Sequence, residues 1–80
     1  MYFLVDYDRE QGALISLKSF APEERLPAEI ARLELEVSLN AQGVDREIVI
    51  LEAKDEARLR LTHRRYFENV AQLSVMPSPR

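Results

Sequence analysis

The densest group of chemically capable side chains is Arg58, Arg60, Thr62, His63, Arg64, Arg65 and Tyr66. Guanidinium groups beside a tyrosine can fork onto phosphate oxygens and stack on bases. On a helix, Arg58 and Arg65 share one flank with Thr62, and Arg60 and Arg64 share another. Arg58, Arg60, His63, Arg64, Arg65 and Tyr66 are therefore the candidate binding residues, with nucleic acid or a phosphate group as their ligand. The plainer reading is a solvated arginine face that pairs with Glu56, Glu68 or the acidic first helix. His63 is the only histidine, and the chain has no cysteine. A lone imidazole with no second soft ligand makes a poor transition-metal site, so no metal and no cofactor are expected. As a general base His63 lacks an identifiable nucleophile, although Asp55, Glu56 or Glu68 could orient it.

A second constellation is Glu52-Ala53-Lys54, which follows an aliphatic run. It resembles the Glu-x-Lys catalytic strand of metal-dependent nucleases. The resemblance implies that Glu52 would bind a divalent ion and Lys54 would assist the attacking water, with an aspartate as second ligand. Asp45 sits too close on the same segment, so Asp6 or Asp8 would have to be brought alongside. The tripeptide is common, and an ordinary strand end followed by a helix cap is the better reading. Asp6, Asp8 and Glu10 put carboxylates near a turn, but they lack the ligand number and spacing of a calcium loop. With only Gly12 and Gly43, there is no glycine-rich loop to cradle a nucleotide phosphate. Binding rather than catalysis is the expected role.

Eighty residues with a net charge of −3 make one small α+β domain with a thin stability margin. The charge is uneven: residues 1–53 carry a balance of −6 and residues 54–80 a balance of +3. The basic part can meet an anionic partner or the acidic half of another copy, while the acidic body would repel a polyanion. Absence of cysteine fits a reducing compartment. The N-terminal Met1-Tyr2-Phe3-Leu4-Val5-Asp6 lacks the basic start of a signal peptide, and no apolar run approaches a membrane span. A cytoplasmic location is the expectation.

The elements that must position these groups centre on Ile48-Val49-Ile50-Leu51, a β-branched run apolar on both sides of a strand. Residues 2–7 and 13–20 read as a hairpin whose polar loop ends at Gly12, with the first strand central and the second at an edge. A helix begins near Pro22 or Pro27, carries an apolar stripe at Leu26, Ile30, Leu33 and Val37, and stops at Gly43. Glu29, Arg32 and Glu36 are spaced for ion pairs along it. Asp55 is a helix cap. Beyond it, Leu59, His63, Tyr66, Val70 and Leu73 fall at helical spacing, against a rival strand over 57–63.

The order β-β-α-β-α implies a two-layer α+β sandwich, with a three-stranded, mainly antiparallel sheet in order 2-1-3 and both helices on one face. The domain is expected to span 1–73, with 74–80 a flexible tail. Such an architecture leaves a second apolar sheet face, represented by Tyr2, Leu4, Val49 and Leu51. A bare apolar face marks an interface, and the expected partner is a second copy of the chain, with another protein also possible. Pairing along a strand edge is the other route to a dimer. Its rival is a C-terminal segment that wraps over the face.

Overall fold

The computed structural model describes residues 1–68. Strand β1 (Tyr2–Asp8) lies between β2 (Ala13–Phe20) and β3 (Glu47–Glu52), antiparallel to both, in the order β2-β1-β3. This is the α+β arrangement and strand order that the sequence implies. Of the three strands β1 is the most deeply buried, from Phe3 to Tyr7. The aliphatic run of β3 lies at an edge and is only half-buried.

The β1–β2 turn is held by Asp8, whose Oδ1 accepts from the backbone N–H groups of Glu10 (2.9 Å) and Gln11 (3.1 Å). Gly12 completes the turn at φ 65°, a conformation that favours glycine. In β2 the register slips: Asp6 faces Ser16 but Tyr7 faces Leu14, leaving Ile15 as a bulge. The extra residue resets the alternation, so Leu14 and Leu17 both pack on the same side of the sheet.

Helix α1 (Arg25–Ala41) starts after Glu24, which places Pro27 in the first turn, where its missing N–H costs no intrahelical bond. It ends in a paired-bond cap: Gly43 N–H donates to the Asn40 carbonyl (3.1 Å) and Val44 N–H to that of Leu39 (2.9 Å). Gly43 makes this possible at φ 70°. Ala28, Ala31 and Leu35 face Leu4, Phe20, Tyr2, Ile48 and Ile50.

A short helix, α2 (Glu56–Thr62), follows and runs into a 3-10 turn over Arg64–Tyr66. The Asp55 side chain caps α2 by accepting from Arg58 N–H at 2.8 Å. Residues 57–62 are thus helical, but the helix does not continue along the expected stripe. Thr62 Oγ1 turns back to the carbonyl of Arg58 (2.9 Å) and meets His63 Nδ1 (2.9 Å), while His63 leaves helical geometry at ψ 53°. Such back-bonding competes with helix propagation. The break swings Tyr66 onto the sheet. Val70, Leu73 and the expected tail 74–80 lie outside the described residues.

Tyr66 and Phe67 pack with Val5, Tyr7, Leu14, Leu17, Val49 and Leu51, on the side of the sheet opposite α1. The sheet face expected to be bare is thus covered by the turn after α2. The physical reason is β1 itself: a strand apolar on both sides needs cover on both, and the chain's own C-terminal aromatics supply the second cover.

Candidate functional site

The arginine cluster is largely engaged within the chain. Arg60 bonds Glu56 Oε2 through Nη2 at 2.7 Å and stacks over Phe67, 4.5 Å from the ring centroid. Arg64 reaches Glu68 at 3.4 Å. Arg65 donates to Glu47 Oε2 at 2.5 Å and lies 4.1 Å from the Tyr66 ring centroid. Arg58 is exposed and its side chain has no carboxylate partner among the described residues. His63 is half-buried and occupied by Thr62. An incoming anion would have to compete with Glu47, Glu56 and Glu68 for these groups.

At the centre of this region is a polar clamp. Glu47 begins β3 opposite Tyr7, and its carboxylate accepts from the Tyr66 hydroxyl and from Arg65, both at 2.5 Å. Tyr66 meets Tyr7 edge-to-face, with ring centroids 5.2 Å apart at 89°. The Tyr66 hydroxyl bond, with help from Arg65 and against a burial penalty, holds the Glu47 carboxyl below its ordinary range. Burial, and donation to Glu47, push the Tyr66 hydroxyl up. The clamp fastens the C-terminal cover to the sheet and leaves neither group free as an acid or base.

A second ionic pair sits on the other face. Among the described residues Asp6 is the one charged residue that is buried, and its Oδ2 accepts from Arg46 Nη1 at 3.1 Å while its Oδ1 finds no partner there. Burial raises the Asp6 carboxyl, opposed by the Arg46 charge.

Among the described residues, Glu52 and Lys54 are not joined by a second acidic ligand. Glu52 faces Tyr2 across the sheet and Asp6 faces Ile48, four residues further along β3, or about 13 Å at strand spacing. Among the described residues no three Asp, Glu or His side chains converge where they could hold a metal ion.

The four expected interface residues are separated. Tyr2 and Leu4 point toward α1, while Val49 and Leu51 point toward Tyr66 and Phe67. They form no common patch, because Leu4 aligns with Ile50 and Val5 with Val49, so the two pairs fall on opposite sides of the pleat.

The apolar surface that remains lies elsewhere. Leu26, Ile30, Leu33 and Val37 are 68, 49, 58 and 61% exposed. The stripe expected to face the core thus faces outward. At 3.6 residues per turn, α1 carries two apolar stripes on opposite sides, and the smaller one, Ala28, Ala31, Leu35 and Leu39, takes the sheet. The available signal was this second stripe at i, i+3, i+7 and i+11, with Glu29, Arg32 and Glu36 between the two. Val37 and Val44 continue the outward surface into a groove of about 320 Å³ between the end of α1 and the start of β3.

Among the described residues no helix is long and apolar enough to cross a membrane. Comparison with protein-family models, with curated proteins and with solved structures finds no match for this chain.

Proposed function

We propose that this chain acts by binding rather than by catalysis, as a homodimeric protein-interaction module whose contact surface is the outward side of α1. The single observation that carries this reading is the exposed row Leu26, Ile30, Leu33 and Val37 on the side of the helix away from the core. Four large aliphatics in line are more than the scattered apolar residues any surface carries, and such a row serves as a contact surface. Both faces of the sheet are occupied by the chain's own side chains, so the contact surface moves from the sheet to the helix. The Glu47, Glu56 and Glu68 pairings of Arg65, Arg60 and Arg64 weigh against capture of a polyanion.

Sedimentation equilibrium at micromolar concentration tests this. The wild-type chain is expected to self-associate, and Leu33→Glu to be monomeric with an unchanged circular dichroism spectrum. A wild-type chain that stays monomeric at high micromolar concentration overturns the proposal.

A further inference from the structure

The outward row of α1 has the spacing of a helix–helix seam. Its steps are four, three and four residues, with β-branched Ile30 and Val37 alternating with Leu26 and Leu33. Written as a heptad, Ile30 and Val37 occupy a and the two leucines occupy d, the positions along which two helices pack their apolar side chains together. Ala28, Ala31, Leu35 and Leu39 then fall at outer positions of the heptad, which is why the sheet can hold α1 without obstructing the seam.

The charges beside the seam choose the direction. In a parallel pair, Glu29 of each copy would stand beside Glu34 of the other, on both sides. Glu34 makes no ion pair among the described residues, so this juxtaposition is repulsive. In an antiparallel pair centred between Ile30 and Leu33, Leu26 of one copy meets Val37 of the other and Ile30 meets Leu33. Glu34 then lies beside Pro27. Glu29 lies beside Glu36, and within each chain Arg32 bridges these two carboxylates at 3.2 and 3.3 Å. The antiparallel arrangement takes Glu34, the one of these carboxylates without an ion pair among the described residues, away from Glu29 of the other copy.

We propose that the occupant of this surface is the α1 helix of a second copy, packed antiparallel about a two-fold axis between Ile30 and Leu33. This rests on the reading of α1 as the contact surface. The seam is about 16 Å long at 1.5 Å per residue, short of a standard interface, so the dimer forms and dissociates with concentration.

Because the native chain has no cysteine, single substitutions report the pairing directly. Leu26→Cys and Val37→Cys, one carrying a size tag, are mixed in equal amounts and oxidised at a concentration where the wild-type chain associates. Both sites are exposed, so the fold is expected to persist, with circular dichroism as the check. The antiparallel seam yields the mixed disulfide and loses both same-residue species, because two copies of position 26 lie about 16 Å apart, beyond disulfide reach. Same-residue disulfides without the mixed one overturn the antiparallel proposal and leave α1 as the contact surface. No disulfide, with association unaffected by Leu33→Glu, overturns both.

Discussion

Helix α1 and the segment that runs from α2 into the turn at Tyr66 use their apolar residues in opposite ways, and that turn packs on the side of the sheet opposite α1. The α2 segment and the turn after it spend theirs inward: Leu59 is fully buried, Tyr66 nearly so, and the Glu47–Tyr66–Arg65 clamp ties the cover down. Helix α1 gives the sheet alanines and two leucines and keeps Leu26, Ile30, Leu33 and Val37 outside. The first segment closes a core, whereas the second both closes a core and presents a surface. Burial of the same residue type therefore means different things on the two sides, and substitution can separate them.

The largest contrast is between two leucines. Leu59→Ala removes a side chain with no exposed area and is expected to cost about 3 kcal/mol. Leu33→Ala, in dilute monomeric protein, is expected to change stability by less than about 0.5 kcal/mol. Urea unfolding of both measures this, and equal losses would mean that the outer side of α1 is packed as tightly as the core.

Next in size is Tyr66→Phe, which removes a hydroxyl bond to Glu47 and is expected to cost about 1 kcal/mol at neutral pH. Glu47 has a folded-state pKa below its ordinary 4.5, so its contribution is present above that pH and lost as pH falls through the lowered value. Tyr66→Phe is expected to flatten that loss. An unchanged acid profile in thermal melts would show that Arg65 alone holds the carboxylate.

The smallest expected effect comes from Asp6→Asn on the α1 side, below about 1 kcal/mol because burial and ion pairing oppose each other. Here the sign reverses. The folded-state pKa of Asp6 is raised above 3.8, so the stability it contributes at low pH is lost as pH rises from there through the folded value. Asp6→Asn, which keeps an acceptor for Arg46, is expected to abolish that fall. Acid titrations of Asp6→Asn and Tyr66→Phe that shift in the same direction would contradict the assignment of opposite roles to the two ionic sites.

Local signals were legible wherever a residue's conformational or hydrogen-bonding chemistry acts on its neighbours. Gly12 and Gly43 end their elements at positive φ, Asp55 caps α2, and Glu29, Arg32 and Glu36 pair as their spacing requires. The strand order followed from the alternating β2 at an edge and from a helical crossover that returns β3 to the free side of β1. Orientation was less legible. α1 has two apolar stripes, and the bulkier one is not the core face: Ala28, Ala31 and Leu35 take the sheet. The arginines that look like one patch in sequence are distributed among Glu47, Glu56 and Glu68 in space.

Composition and periodicity by themselves determined the kinds of elements, their order, and that both sides of β1 demand cover, because these follow from propensity and from burial of apolar area. Which side of α1 meets the sheet, which face Tyr66 closes, and hence which apolar residues are left for a partner were decided only by tertiary structure. Those outcomes depend on strand register and on the break after Thr62, where a one-residue change in phase sends a side chain to the other side.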